Sequence, residues 1–374
     1  MEAPISGKYC QTRNATRITN STSETLMKKT LIGLTLTALT SGIAQSAIAE
    51  TSLNVVGTWS AVSLHKNFEA PFWTQRLPEA SDGQIQVQMT TFDQMGIEGS
   101  DVFNYLKNGL FNIGMTFSDY VGGEAPALEG LDLPMMTTDP DKAREVSEAF
   151  MPIAEKTMQS QYNAHVLAIA PNTPQVVFCN TPIKNLGDLQ GKKVRASGRT
   201  TAEFLSAIGA QSTVMAFNEV PGSLERGVID CAVTGSLSGY NSGWQDVADY
   251  LLPLPIGGWD TVITAVSNDT WSSLDDETKQ TIEDQIEPGF VDPVWNNLAK
   301  DEQQGIACLT GSGDCEHGEP GDMNLVEVTD ADRERAHQAL VDAVLPSWAS
   351  RIDDETISLW NENVAPLVAL PIVK

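Results

Sequence analysis

Arg195 is the residue of this chain whose type and position best suit the binding of an anion. It follows Lys193 and Val194 in a short segment that predicts a β-strand, so it lies near the strand's end. Ligands of open α/β sheets bind beyond the carboxyl ends of the strands. A planar guanidinium offers a carboxylate two parallel donors and keeps its proton at neutral pH. On the residues alone, Arg195 is either an anion site or a surface arginine paired with an acid.

The sequence carries none of the short motifs that accompany common catalytic chemistry. There is no GxGxxG or GxxxxGK[ST] phosphate loop, no GxSxG nucleophile elbow and no HExxH metal pair. His65, His165 and His317 lie far apart, and none is spaced to pair with a nucleophile. The residues therefore give no positive support for an enzyme, and we expect no catalytic residues, no cofactor and no metal.

The N-terminal region is typical of a secretory signal peptide. Met27-Lys28-Lys29 is followed by an apolar, small-residue stretch that ends in Ala47-Ile48-Ala49. This predicts a signal peptide over residues 27–49 with cleavage after Ala49, and the alternative is a buried helix. The stretch is too short and too rich in Thr, Ser and Gly for a membrane span. Residues 1–26 are then an upstream extension from a start codon assigned too early.

The predicted mature chain is strongly acidic. Removal of residues 1–49 takes away five basic and two acidic residues, which leaves 18 basic and 47 acidic residues and a net charge of −29. Such a charge repels nucleic acids and anionic membranes, so neither is an expected partner. It suits either a saline exterior, where salt screens self-repulsion, or plain solubility. Any site that binds an anion must therefore contain basic residues that locally offset the negative charge of the chain.

The cysteines that remain in the predicted mature chain are even in number, which favours disulfides in an exported protein. Cys308 and Cys315 flank a flexible six-residue loop that a bridge could close, and zinc binding with the nearby His317 is the alternative. Cys179 and Cys231 each lie at one end of a strand-like segment. Adjacent strands could bring these two together, although the sequence does not require that pairing.

Strand-like and helix-like segments alternate along the chain, which predicts an α/β fold. The predicted strands are residues 53–56, 84–89, 111–115, 166–169, 175–179, 193–196, 213–216, 229–233 and 261–267. The predicted helices are residues 64–77, 99–110, 142–161, 200–208, 219–226, 275–304 and 330–363, with a kink near residues 288–293. No Pro-rich linker separates two domains, so two domains would be joined by several short crossings.

Residues 182–195, PIKNLGDLQGKKVR, form the most informative stretch of the sequence. They resemble the DctP-type family, the periplasmic solute-binding proteins of tripartite ATP-independent periplasmic (TRAP) transporters. Three more stretches fit this family in the same order: residues 100–115, SDVFNYLKNGLFNIGM; residues 217–230, FNEVPGSLERGVID; and residues 271–278, WSSLDDET. The resemblance covers nearly the whole predicted mature chain.

The resemblance implies a two-lobed periplasmic-binding-protein fold, with strands that cross between the lobes and a long helix that spans both. The expected lobe I is residues 50–174 with 261–300, and lobe II is residues 175–260 with 301–374. It further implies a monomeric extracytoplasmic receptor for a small organic acid, which it delivers to a small and a large integral TRAP subunit in the membrane. A secreted enzyme or a sensory receptor on the same scaffold is the alternative.

In the family, the arginine that ends the motif binds the ligand's carboxylate, and here that residue is Arg195. Some relatives carry a second arginine at the position of Gln175, and many carry an asparagine at the position of Thr234. The resemblance therefore implies a less charged second half of the ligand, with hydrogen bonds from Gln175 and Thr234. Arg199 is either a second cation of the site or a solvent-facing residue at a helix start.

Aromatic residues cluster where the resemblance places the cleft. Trp59 follows the first predicted strand, Trp259 lies in a Gly-Gly-Trp-Asp segment, and Tyr240 follows Thr234 by a short interval. Their rings would supply rigid apolar walls around a small molecule, and core packing is the alternative for each.

Overall fold

The computed structural model describes residues 50–374. The upstream extension and the signal peptide that the sequence predicts lie outside these described residues. No helix among residues 50–374 is both long and apolar enough to cross a membrane.

Two mixed β-sheets contain the strands of the described chain. The strands are β1 Thr51–Gly57, β2 Ile85–Thr91, β3 Ile113–Phe117, β4 Ala164–Ala170, β5 Gln175–Cys179, β6 Lys193–Ala196, β7 Gln211–Val214, β8 Cys231–Gly235, β9 Tyr250–Leu252, β10 Val262–Ser267 and β11 Asn324–Leu325. The first sheet has the order β2-β1-β3-β10-β4, and the second has the order β11-β9-β5-β8-β6-β7.

The chain passes between the two sheets at residues 171–174, after β4, and returns at residues 253–261, before β10. Strand β10 then pairs antiparallel with β3 and β4 of the first sheet. Strand β5 pairs antiparallel with β8, with Gln175 opposite Gly235. As a result, the beginning of β5 lies beside the carboxyl ends of β8 and β6, and both crossings reach this edge of the second sheet.

Helical segments cover the faces of the sheets. The α-helices are α1 Leu77–Ala80, α2 Phe92–Met95, α3 Val102–Lys107, α4 Pro140–Thr157, α5 Arg199–Ala207, α6 Val220–Glu225, α7 Ser236–Asn241, α8 Asn268–Ser273, α9 Asp276–Ile286, α10 Asp292–Thr310, α11 Asp330–Ala339, α12 Leu345–Ala349, α13 Asp354–Asn363 and α14 Ala365–Val368. Five wider π-helical turns and five short 3₁₀ turns of the described chain join them. The π turns are His65–Glu69, Phe72–Arg76, Met158–Tyr162, Glu287–Val291 and Leu340–Val344. The 3₁₀ turns are Gly99–Asp101, Pro126–Leu131, Leu186–Leu189, Phe217–Glu219 and Trp244–Asp246.

One long helical segment runs from α9 through the π turn Glu287–Val291 into α10. It begins at Asp275, whose carboxylate accepts a hydrogen bond from the Thr278 backbone amide. Pro288 has no amide proton, so the wider turn replaces the regular hydrogen-bond pattern at this point. Helix α9 contacts β4 of the first sheet, whereas α10 contacts α7 beside the second sheet. The predicted two-lobed fold with a spanning helix is confirmed.

The C-terminal helices contact both sides of the molecule. Helix α11 packs beside the turn Leu186–Leu189, near the second sheet, whereas α13 packs against α4 on the side of the first sheet. Lys156 of α4 forms an ion pair with Asp353, which precedes α13. The chain after residue 301 therefore does not remain beside the second sheet.

Cys179 and Cys231 form one disulfide and Cys308 and Cys315 form another, as the even cysteine count of a predicted exported chain favoured. Cys179 and Cys231 are directly opposite each other on the antiparallel strands β5 and β8. Cys308 and Cys315 close the loop that follows α10. Two short strands were not predicted, β9 and β11, because three and two residues are too few to show a pattern. Strand β7 begins two residues earlier than the predicted 213–216.

Candidate functional site

A narrow cavity lies at the edge where the two sheets approach each other. The first sheet contributes residues that follow β1 and β3, and the second sheet contributes residues at the ends of β5, β6 and β8. Both crossings add one residue each. The lining residues are Trp59, Val62, Phe117, Tyr120, Asn172, Gln175, Arg195, Ser197, Phe217, Thr234, Ser238 and Asp260. A second, more open space of about 160 Å³ adjoins it and shares Trp59, Tyr120 and Ser197.

Arg195 lies in the wall of this cavity and is only 1% exposed. Its Nε donates to the Met215 carbonyl oxygen at 2.9 Å, and its Nη1 donates to the Val233 carbonyl oxygen at 2.6 Å. Among residues 50–374, no carboxylate lies within ion-pair distance of the guanidinium. Burial lowers the pKa of Arg195, and the nearby Tyr120 partly offsets this effect. The guanidinium is therefore held by neutral carbonyl groups.

Two carboxylates lie near Arg195 without forming an ion pair with it. Asp260 lines the cavity and accepts a hydrogen bond at 2.7 Å from Nε2 of Gln175. Burial, together with Asp119 and Asp132, raises the pKa of Asp260 well above its usual value. Burial also raises the pKa of Asp119 to about 6. Both carboxylate oxygens of Asp119 are buried without a hydrogen-bond partner in the described chain.

Asp132 fixes the backbone on both sides of Asp260. Its carboxylate accepts hydrogen bonds from the backbone amides of Trp259, at 2.8 Å, and of Thr261, at 3.0 Å. A Cβ at Gly258 would lie 2.3 Å from a carboxylate oxygen of Asp132, so only glycine fits there. Asp260 itself has a φ of 51°, a strained conformation that aspartate tolerates better than most residues. The turn thus holds the Asp260 carboxylate in a set position.

Aromatic rings form much of the remaining wall. Nε1 of Trp59 donates to the Tyr120 hydroxyl at 3.1 Å, which fixes both rings. The Trp59 ring lies 5.6 Å from the Phe217 ring, and the Phe117 ring lies 4.9 Å from the Tyr120 ring, measured between centroids. Phe117 and Tyr120 belong to the first sheet's edge, whereas Phe217 belongs to the second sheet's side. Aromatic surface therefore faces the cavity from both sheets.

Four of the six predicted ligand-binding residues line the cavity: Arg195, Gln175, Trp59 and Thr234. Trp259 does not line it, because its indole Nε1 donates to the Thr137 hydroxyl at 2.6 Å on the far side of the Asp260 turn. Tyr240 does not line it either. Its hydroxyl donates to the Glu319 carbonyl oxygen at 2.7 Å, in the segment that follows the loop closed by Cys308 and Cys315.

Arg199 adopts neither of the two roles considered for it from the sequence. Its Nε and Nη2 donate to the two carboxylate oxygens of Glu129, which is 1% exposed. Nη2 also donates to the Gly122 carbonyl oxygen at 2.6 Å. Arg351 donates to the same carboxylate at 2.9 Å. Arg199 is therefore one of two arginines that neutralise a buried glutamate outside the cavity.

Sequence reasoning missed Asp260, Asp119 and Tyr120, although signals for all three are present. Asp260 directly follows Trp259 in the Gly-Gly-Trp-Asp segment. Asp119 and Tyr120 follow the end of β3, which extends two residues beyond the predicted 111–115. The extra length puts Ser118-Asp119-Tyr120 at the carboxyl end of a strand, where ligand-binding residues are expected.

Comparison with known proteins defines the class of this molecule. The family described as bacterial extracellular solute-binding protein, family 7, matches residues 58–350. The chain belongs to this family, whose members are receptors for solutes and not enzymes. This confirms the resemblance to the solute-binding proteins of TRAP transporters that the sequence motifs predicted.

Individual relatives support the same assignment. The ectoine-binding periplasmic protein of Halomonas elongata is 25% identical over 208 residues, which cover 54% of this chain and 60% of that protein. Its high-resolution structure superimposes with a TM-score of 0.73 at 19% identity and covers 86% of this chain and all of that one. A TRAP solute-binding protein from Desulfovibrio salexigens, with bound orotic acid, gives a TM-score of 0.75 at 17% identity and covers 85% of this chain and all of that one.

A Bordetella pertussis extracytoplasmic solute receptor that binds pyroglutamic acid gives a TM-score of 0.73 at 18% identity. It covers 83% of this chain and 98% of that chain. At these identities the superpositions establish the fold, which agrees with the two sheets and the long spanning helix described above.

Proposed function

We propose that this receptor captures a small organic acid in the cavity and binds its carboxylate through Arg195. The proposal rests on the contacts of the Arg195 guanidinium. This group is buried and donates hydrogen bonds to two carbonyl groups, yet no carboxylate of the described chain forms an ion pair with it. A buried guanidinium with no carboxylate in direct contact can still donate, so an incoming carboxylate gains a charge-assisted hydrogen bond from it.

The rest of the cavity suits a compact molecule. Thr234 supplies a hydroxyl, Gln175 supplies an amide oxygen, and Trp59 supplies apolar wall. The proteins with similar folds bind ectoine, orotic acid and pyroglutamic acid, all of them small cyclic acids. We expect a ligand of this size, held between the two sheets, with the closed arrangement selected because it binds the ligand better.

The receptor would act outside the cytoplasm and deliver its ligand to a small and a large integral subunit of a TRAP transporter. Mass spectrometry of the exported protein should find Glu50 as its first residue if the signal peptide is cleaved after Ala49. Genes for the two membrane subunits should lie beside the gene for this chain. A neighbouring signalling gene in place of both would indicate a sensory role.

A thermal-shift screen of the mature protein against organic acids and sulfonates tests the ligand class. A ligand that binds the folded state raises the melting temperature, by an amount that grows with the logarithm of its concentration relative to its Kd. Calorimetry with the acid that gives the largest shift should then show that Arg195→Ala weakens binding at least tenfold. Arg226→Ala removes an exposed arginine outside the cavity and should leave the affinity unchanged.

Two outcomes would contradict the proposal. One is the absence of a thermal shift with every acid and sulfonate. The other is unchanged affinity in an Arg195→Ala protein that retains a cooperative thermal transition. If Arg195→Ala does not fold, Arg195→Lys is measured in its place. This variant retains the positive charge and removes only the bidentate donor geometry, so it should still weaken binding.

A further inference from the structure

We propose that the ligand is a zwitterion, with a carboxylate for Arg195 and a compact cationic group, such as an ammonium or amidinium, for Asp260. This inference rests on the proposed function, because it takes the binding of a carboxylate at Arg195 as given. It adds the chemical nature of the ligand's other half, which the sequence had predicted to meet a less charged part of the site.

The first argument is the balance of charge. Among the residues that line the cavity in the described chain, Arg195 is the only cation and Asp260 is the only acid. Asp119 lies close to both Arg195 and Asp260, and its charge affects the pKa of each. Once a ligand carboxylate pairs with Arg195, neither acid retains a counter-charge. A purely anionic ligand would thus add a negative charge beside two buried acids whose ionisation burial already opposes, whereas a zwitterion would bring a cation to them.

The second argument is the supply of hydrogen-bond acceptors. Nε2 of Gln175 donates to Asp260, so its Oε1 points the other way, and this oxygen is buried without a partner. Both carboxylate oxygens of Asp119 are also buried without a partner in the described chain. Gln175 is 1% exposed, so water from the bulk does not reach it freely. A cluster of unpaired acceptors requires donors, and ammonium and amidinium groups consist of donors alone.

The third argument is the position of Asp260. The backbone on either side of it is fixed by Asp132, and its own φ of 51° is a strained conformation. Strain of this kind persists where the surrounding structure over-determines it, and it concentrates at sites that bind ligands. A carboxylate that served only solubility would not require such support. The turn therefore presents Asp260 to the cavity as a fixed acceptor.

The fourth argument is the aromatic wall. Trp59, Phe117, Tyr120 and Phe217 face the same cavity as Asp260. The face of an aromatic ring carries negative potential and attracts a cation, most strongly when water is excluded. An aromatic wall alone would suit an uncharged apolar group equally well. Combined with a fixed carboxylate and unpaired acceptors, it favours a cation.

The test compares matched pairs of probes that differ only in the cationic group. 4-Aminobutyrate and pentanoate have nearly the same shape, and so do proline and pyroglutamate, but only the first of each pair carries a positive charge, on an ammonium group that donates hydrogen bonds. Ectoine, a cyclic amidinium carboxylate, completes the set of zwitterions. Affinities are measured by calorimetry at pH 7.5 on the mature protein and on its Asp260→Asn, Asp119→Asn and Glu98→Gln variants.

We expect the wild-type protein to bind at least one zwitterion, and to bind it at least tenfold more tightly than any monoanion of the set. Asp260→Asn keeps the shape and tolerates the positive φ, and it should remove at least tenfold of that preference while the monoanions bind as well or better. Glu98→Gln removes an equal charge in the adjoining space and should leave the preference unchanged.

The inference is overturned if a monoanion binds as tightly as its zwitterionic partner, or if the preference survives in both Asp260→Asn and Asp119→Asn. In either case the proposed function still stands, since a carboxylate binds and Arg195→Ala abolishes it. If neither class binds to the wild-type protein, the proposed function fails and this inference fails with it. The second aspartate variant covers the case in which Asp260→Asn does not fold.

Discussion

Two buried groups of charged residues lie close together in this protein and differ in how their charges are balanced. Around Glu129, one carboxylate receives hydrogen bonds from Arg199 and Arg351, so the buried charge is neutralised within the protein. Around Arg195, the guanidinium binds only carbonyl groups, while Asp119 and Asp260 lie near it without forming an ion pair.

The difference separates a structural charge cluster from a binding site. A group that is already satisfied gains nothing from a ligand, and its removal affects stability. A buried charged group without an ion-pair partner is stabilised by a ligand that supplies this partner, so its removal affects the affinity for the ligand. Arg199 is four positions beyond Arg195 in the sequence, yet the contacts of the two side chains place them in opposite categories. Each prediction below tests this separation.

The largest expected effect is on stability, at Glu129. Replacement by alanine leaves Arg199 without its counter-charge and Arg351 with Glu203 as its remaining partner, and it should lower the free energy of unfolding by about 3 kcal/mol. Because both arginines are partly exposed and can recover water, the effect should not exceed this value. Chemical denaturation monitored by circular dichroism provides the measurement.

Arg144→Ala is the control for Glu129→Ala. It removes ion pairs with Glu148, Glu287 and Asp292 at the surface, and it should change stability by less than about 1 kcal/mol. Equal effects of the two substitutions would show that the Glu129 cluster is no more important to the fold than surface pairs.

The next effect is on affinity, at Arg195. Arg195→Lys keeps the positive charge but offers a single point donor in place of a two-pronged one, so the affinity for the ligand should fall about tenfold. Arg199→Lys makes the same chemical change in the satisfied cluster and should leave the affinity within about twofold. Calorimetry measures the affinity of both variants for the ligand. A larger loss of affinity in Arg199→Lys than in Arg195→Lys would show that Arg199, and not Arg195, binds the ligand.

A third effect concerns the pH dependence of stability. Burial raises the pKa of Asp119 and of Asp132 from 3.8 to about 6, so the folded protein binds more protons than the unfolded chain between these values. The contribution of these groups to stability is present below pH 3.8 and is lost as the pH rises through about 6. Asp119→Asn should therefore raise the melting temperature of the ligand-free protein above pH 6, by roughly 2 to 5 °C, with little change near pH 4.

Asp93 supplies the opposite sign as a control for this titration. Burial alone would raise its pKa, but hydrogen bonds from Ser60 and Thr91 lower its pKa overall. Its contribution is present at neutral pH and is lost as the pH falls below its usual value, so Asp93→Asn should lower the melting temperature at pH 7 and less at pH 4. If Asp119→Asn and Asp93→Asn shift the melting temperature in the same direction at pH 7, the assigned pKa of Asp119 is wrong.

The smallest expected effects concern the hydroxyl groups of Tyr240 and Thr234, which the sequence analysis predicted to lie in the same binding site. Tyr240→Phe removes a hydrogen bond to the Glu319 carbonyl, which should lower stability by about 1 kcal/mol and leave affinity within about twofold. Thr234→Val removes a hydroxyl from the cavity wall and should weaken ligand binding about fivefold. A loss of affinity in Tyr240→Phe alone would place the ligand nearer to α7 than the cavity indicates.

Much of the fold could be predicted because its signals are local. Strands β5 and β6 occur where their alternating and β-branched residues predict them, and α9 begins directly after Asp275, where the predicted helix starts. The cavity was harder to predict. Arg195 belongs to a recognisable motif, whereas Tyr240 and Trp259 were predicted only because they are aromatic and lie near predicted strand ends. Both of these side chains form hydrogen bonds outside the cavity.

The sequence by itself determined the alternation of strands and helices, the family, and one arginine with the chemistry to bind a carboxylate, because each of these depends on residues close together in the chain. Only the tertiary structure decided which acids face that arginine and which arginine is already paired. Gln175 meets Asp260 across 85 residues, and Glu129 meets Arg351 across 222. Contacts at such separations depend on where the chain crosses between the two sheets, and no local pattern encodes the charge that each side chain will meet there.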